Sequence, residues 1–243
     1  MSYADNPYNA PLFSIAAHAD VNERADFIRK TYLHLAGAVF AFAGLEAVLL
    51  NTPGLPEAYF SLVAGTRFGY LILIAAFMGV SYLADSWARS AASVGKQYAG
   101  LGLYVAAEAF IFLPLLYFAS RQDARLIPTA AAATLIVFTG LTAIVFLTGK
   151  DFSFLRTALW LGGLVAMGCV VASMFFPQFA LGIVFSFCMV GLASGYILYD
   201  TSNVLHHYRI GQHVAASLAL FASLALLFFY ILRIVMALTQ RDD

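Results

Sequence analysis

Four acidic residues lie inside or at the edge of long apolar stretches: Glu46, Asp85, Glu108 and Asp200. An ionisable side chain in such a stretch is costly, and it marks a pathway, a relay or a paired structural site. Asp200 closes the run Gly195-Tyr-Ile-Leu-Tyr-Asp200, and Thr201, Ser202, Asn203, His206, His207 and Arg209 follow it closely. An acid at a helix C-terminus is opposed by the helix dipole. Asp200 is therefore expected either to open a turn with Thr201 and Ser202 or to meet a cation. Asp85 and Arg89 stand i, i+4 and can pair; a solvated ion pair at the end of a run is the simplest reading. Equal predicted depth also groups Asp85 with Asp200 and Arg89 as a candidate gate. Hard cations such as calcium prefer carboxylate oxygens, which suits such a mouth.

Glu108 sits ten residues into its run, in LYVAAEAFIFLPLL. At about 1.5 Å per residue it lies roughly 15 Å deep, out of reach of the interface. It must be neutralised, hydrogen-bonded or turned to a wet cavity, and structural and functional roles stand equal there. Pro114, one and a half turns on, frees a backbone carbonyl. Glu46 lies four residues from the end of its run and reads as an acid that reaches the interface. His206, His207 and His213 read as solvated loop histidines, because their spacing is not that of a zinc site. Cys169 and Cys188, both in apolar runs, read as small core residues. No nucleophile elbow, Walker loop, HExxH or dinucleotide fingerprint occurs, so nothing points to an enzyme or to a bound cofactor.

The elements that must position these residues are long apolar helices. The chain has 243 residues, 62% hydrophobic and only 11% charged, against about half and a quarter in soluble domains. Seven runs reach the roughly 20 residues needed to cross a bilayer: Thr31–Leu50, Phe68–Trp87, Ala99–Ala119, Leu126–Thr148, Leu155–Phe176, Phe179–Asp200 and Val214–Leu238. The runs are uniformly apolar, without the alternation of barrel strands. The expected fold is thus an all-α membrane protein with seven transmembrane helices over residues 31–238. A polar tail of residues 1–30 precedes them and a short tail of residues 239–243 follows. Turns fall at Asn51-Thr-Pro-Gly-Leu-Pro56, Gly149-Lys150-Asp151 and Pro177-Gln178. The formal net charge is zero, with no charge block, so no nucleic-acid partner is expected.

Lys and Arg set the orientation. One set of flanks holds Arg24, Arg29, Lys30, Arg89, Lys96, Lys150, Arg156 and Arg209; the other holds Arg67, Arg121, Arg125, Arg233 and Arg241. The excess places the N-terminus in the cytosol and, with seven spans, the C-terminus outside. In the last run Ala215, Ala219 and Ala222 follow an i, i+4, i+7 course. Small residues on one face let helices approach closely in lipid, so this helix is expected to pack centrally.

Several segments together resemble the Bax inhibitor family of membrane proteins, in its bacterial YccA-like branch. They are Arg29-Lys30-Thr31-Tyr32, Leu113-Pro114, Lys150-Asp-Phe-Ser-Phe-Leu155, Gly195-Tyr-Ile-Leu-Tyr-Asp200-Thr and Tyr230-Ile-Leu-Arg233. The resemblance implies seven helices with a central last helix enclosed by the other six. It also implies a pH-sensitive calcium leak, latched by two aspartates that share a proton and locked by a basic residue on the second helix. Asp200 matches the first aspartate, and Arg89 loosely matches the basic residue. The place of the second aspartate falls on Ser223, and no acid occurs between Thr201 and Arg241. A proton-sharing pair needs two carboxylates, so the latch is altered here. Proteins of the same branch are similar to modulators of the membrane AAA protease FtsH. That implies a location in the bacterial cytoplasmic membrane and makes FtsH a candidate partner, contacted through the polar tail. The lipid bilayer is the other expected partner.

Overall fold

The computed structural model describes residues 15–66, 68–90, 93–176 and 181–242. The first fourteen residues of the tail, Arg67 and the Pro177-Gln178 turn lie outside them, as does Phe179. Eight α-helices follow in order: α1 Val21–Asn51, α2 Leu55–Ala64, α3 Gly69–Ala88, α4 Val94–Gln122, α5 Leu126–Thr148, α6 Arg156–Phe175, α7 Ile183–His206 and α8 His213–Asp242. Seven of them are long and apolar enough to span a membrane. The described residues contain no strand beyond an isolated antiparallel bridge between Ile15 and Arg209.

Helices α1 and α2 depart from the apolar runs at the first connection and the tail. Helix α1 starts ten residues before Thr31, because Phe27 is buried and Ile28 packs on the core even within a polar stretch. Its exposed side is stitched by Asp26 to Arg29 and Lys30, each at 2.7 Å. Helix α2 fills the connection read as a plain turn. Gly54 takes the left-handed conformation, with φ 74°, and Pro56 falls in the first turn of the helix, where its missing N–H costs nothing. Leu55 and Tyr59 then pack on Leu49, Ala109 and Leu113.

The last helix is central. Helix α8 packs against α1, α3, α4, α5 and α7, whereas α6 lies outside against α7. Leu220, Phe221, Leu227 and Leu232 of α8 are buried, and Phe112 of α4 stacks on Phe228, centroids 5.6 Å apart. Helix α4 runs through the buried Pro114 without a break. The alanine stripe behaves differently from expectation. Ala215 is buried, but Ala219 and Ala222 are only half-buried and line a cavity. Of the two cysteines, Cys188 is exposed and Cys169 half-buried, and neither is in the core. Five of the grouped cations sort by bundle end as the flanks predicted. Arg24 donates to the Leu205 carbonyl near the end of α7, and Arg89 and Arg156 line one cavity with His207. Arg121 stands by Glu57, and Arg233 donates to the Leu181 carbonyl before the start of α7.

Helices α3 and α4 approach closely at Gly100. A Cβ there would stand 2.5 Å from the Ala84 carbonyl oxygen and 2.6 Å from the Ala88 nitrogen, whereas one at Gly102 would meet nothing within 4 Å. Both neighbours of Gly100 are backbone atoms and cannot turn away. The clash, about 1–3 kcal/mol, exceeds the 0.5–1 kcal/mol or so that alanine gains over glycine in a helix. Gly100→Ala should therefore lower the unfolding temperature of the purified protein in detergent, and Gly102→Ala should leave it unchanged or raise it.

Candidate functional site

Asp200 is not at the end of its helix. Helix α7 continues to His206 because Thr201, Ser202, Val204 and Leu205 are all buried against neighbouring elements. The turn expected from Thr201 and Ser202 does not form. Instead the Ser223 hydroxyl of α8 donates to Asp200 Oδ2 at 2.5 Å. Ser223, the position expected to face Asp200, does face it, with a hydroxyl in place of a second carboxylate.

Two cavities meet at this pair. The first, about 590 Å³, lies between α3, α4, α6, α7 and α8 and includes Asp85, Glu108, Asp200 and Ser223 in its walls. The second, also about 590 Å³, is lined by Arg89, Arg156, Asn203, His207, Tyr208 and Gln212. Tyr199, Asp200 and Ala219 belong to both walls. The site residues picked from the sequence thus come together. Asp85, Glu108, Asp200 and Ser223 share one cavity, and Arg89 faces Asp200 from the other.

Arg89 Nε donates to both oxygens of Asp85, at 2.9 and 2.8 Å, in the i, i+4 pair expected. Tyr208, in the loop between α7 and α8, stands beside Arg89. Burial pushes its hydroxyl up to about 12, partly offset by the Arg89 charge, so it remains a donor. Glu108 is buried, with the Tyr104 hydroxyl beside it. Glu46 is not interfacial as expected. It is 4% exposed, and neither oxygen has a hydrogen-bond partner. It borders neither cavity.

The histidines do not form one cluster. His207 Nε2 lies 3.0 Å from Asp151 Oδ2, His206 Nε2 is buried, and His213 packs on His34 of α1 with centroids 4.9 Å apart. His34 Nδ1 must donate to the Lys30 carbonyl at 2.6 Å, so its Nε2 accepts from the Tyr98 hydroxyl at 2.7 Å. Neither His34 nor Asp151 stood out as a site residue in the sequence. Asp151 fastens the loop after α5 to the end of α7: it accepts from the Ser153 N–H at 2.8 Å and the Ser202 hydroxyl at 3.2 Å. Ser202 in turn accepts from the Phe152 N–H at 2.8 Å. The spacing Asp151-x-Ser153 is the available signal, since aspartate commonly bonds the backbone two residues on.

The profile described as "Inhibitor of apoptosis-promoting Bax1" matches residues 24–242. An uncharacterized protein of Pseudomonas aeruginosa is 29% identical over 221 residues, covering 90% of this chain and 92% of its own. "Modulator of FtsH protease YccA" of Escherichia coli is 27% identical over 209 residues, covering 86% and 88%. "Protein LIFEGUARD 3" of Arabidopsis thaliana is 25% identical over 234 residues, covering 95% and 92%.

The Asp151 fastening is pH-dependent. The Ser153 backbone N–H, more than His207, holds the carboxyl at about 2 against its ordinary 3.8. A carboxyl depressed on folding contributes above its unfolded value and stops contributing as pH falls through its folded value. Protection of the Phe152 and Ser153 amides in hydrogen exchange should therefore fall between about pH 4 and pH 2. In Asp151→Ala it should be low throughout.

Proposed function

This chain belongs to the Bax inhibitor family, and on that premise we propose that it is a gated cation-permeation protein of the bacterial cytoplasmic membrane, with calcium as a permeating ion. The observation that carries the reading is the position of Asp200. It stands in the wall between two cavities, one reaching inward to Glu108 and one lined by polar groups at the end of the bundle. A carboxylate at such a partition is where a permeating cation exchanges water for protein oxygen.

In this reading Ser223 holds Asp200 in place, and Asp85 with Arg89 forms the second part of the gate. The donor from Ser223 fixes one carboxylate oxygen. Arg89 is divided between Asp85, which it binds, and Asp200, which it faces across the second cavity. Moving Arg89 between the two acids changes the charge met by an ion at the partition without a second aspartate on α8. The N-terminus is cytosolic in this proposal and the C-terminus outside. Calcium release from proteoliposomes, followed across pH, tests it. Asp200→Asn and Asp85→Asn should each alter the pH profile, and profiles unchanged in both would overturn the gate.

A second reading is favoured by the name of the Escherichia coli relative, a modulator of the FtsH protease. Here the polar N-terminal tail engages the membrane AAA protease, without any need for transport. The place to cut is set by the structure. Ala16 N–H donates to the Tyr208 carbonyl at 2.9 Å, so a deletion reaching Val21 also strips the loop that carries Tyr208. Deleting residues 1–14 keeps that contact. It should abolish both co-purification with FtsH and any effect on degradation of its substrates, while calcium flux stays as in the full chain. Flux without co-purification of the full chain favours permeation alone.

A further inference from the structure

We propose that the cavity between α3 and α6 is a binding site for a lipophilic organic cation taken in sideways from the bilayer. Helix α6 turns Gly163, Ala166, Met167 and Val170, an i, i+3, i+4, i+7 face, toward this cavity. Across it α3 presents Ile74, Phe77 and Asp85. The two helices approach at one end, where the rings of Phe68 and Phe175 lie 6.0 Å apart. Beyond that end α3 packs on α4, and α6 packs on α7, which makes the space between α3 and α6 the proposed entrance from the bilayer.

The lining specifies the chemistry. Three acids, Asp85, Glu108 and Asp200, reach this cavity, and no Lys, Arg or His borders it among the described residues. Arg89 is hydrogen-bonded to Asp85, which leaves Glu108 and Asp200 as the acidic groups with which a bound cation would pair. The rest of the wall is apolar and aromatic. Phe77 and Tyr104 lie 5.9 Å apart at one side, and the Tyr196 ring is fixed by its hydroxyl donating to the Leu159 carbonyl at 2.9 Å. Faces of aromatic rings attract cations, most strongly when water is excluded. A void of about 590 Å³ falls in the range of small-molecule pockets, which are mostly apolar with a few placed polar groups.

A bare inorganic ion can exchange water for the carboxylate oxygens, but it gains nothing from the apolar and aromatic remainder of the wall. An anion meets only like charge. A delocalised cation with an apolar surface satisfies the aromatic wall and the acids together. The site does not depend on ion permeation. A protein that passes no calcium can still hold such a ligand, and binding is measured without flux.

Equilibrium dialysis of tetraphenylphosphonium against the full chain in phosphatidylcholine nanodiscs, with empty nanodiscs subtracted, tests the site. Tetraphenylborate has the same shape and the opposite charge. Saturable binding of about one phosphonium per chain is expected, with none of the borate. Glu108→Gln and Asp200→Asn should each weaken it by roughly tenfold, about 1.4 kcal/mol. Ala166→Trp, which fills the crevice from the peripheral helix, should abolish it in protein that remains monodisperse. Equal binding of the borate, no saturable phosphonium binding, or full affinity in a monodisperse Ala166→Trp protein would each overturn the proposal.

Discussion

A carboxylate on a helix buried in a membrane bundle is costly unless a protein donor meets it, because neither lipid nor hydrocarbon side chains can supply one. For Asp200 that donor is the Ser223 hydroxyl. The contact joins α7 to α8, the helix on which α1, α3, α4 and α5 also pack. It therefore ties the acid to the centre of the molecule. A hydroxyl donates to one oxygen and leaves the other turned to the cavities. A second carboxylate would instead have to share a proton with Asp200 or repel it. With a hydroxyl at this position the site is a held carboxylate, and Arg89 is the cation that lines the second cavity with it.

The other end of the same logic is the loop after α5. Asp151 lies outside the spans and has water nearby, yet it gathers the Ser153 N–H, the Ser202 hydroxyl and His207. Ser202 is two residues from Asp200 on the same helix. The loop thus fixes the rotation of α7 about its axis just beyond the acid, and the Ser223 contact fixes it at the acid. Between these two contacts Tyr199 and Asp200 stand in the wall common to both cavities.

Much of this was readable in the sequence, for physical reasons that also explain what was not. Long apolar runs announce spans because nothing else satisfies the backbone in lipid, and all seven are present. Helix α2 escaped notice because ten residues after Gly54 are too few to stand out by length. The polar residues after Asp200 look like a loop, yet Thr201 and Ser202 are fully buried and the helix continues. Burial against other elements overrode local composition there. Glu46 was misread for the opposite reason: sequence position gives depth along a helix but not direction, and its side chain turns inward. The pairing of Asp85 with Arg89 was legible because it follows from register alone, whereas the place of Ser223 came from the family resemblance and its hydrogen bond to Asp200 was not foreseen. The grip of Asp151 on His207 joins positions 56 residues apart, and no local pattern shows it.

The alanines of α8 carry the last step. A stripe of small residues in a membrane helix normally brings a partner helix close, and Ala215 conforms. Ala219 and Ala222 instead face open space, Ala219 at the wall shared by both cavities and Ala222 beside Ser223 in the first. Larger side chains at these positions would fill the partition and bring α6 onto a closed surface. The same composition that permits close packing here maintains a void, because α6 is held by α7 rather than by α8. The central helix thus does two things: it makes contact where it meets α1, α5 and α7, and it leaves clearance beside Asp200.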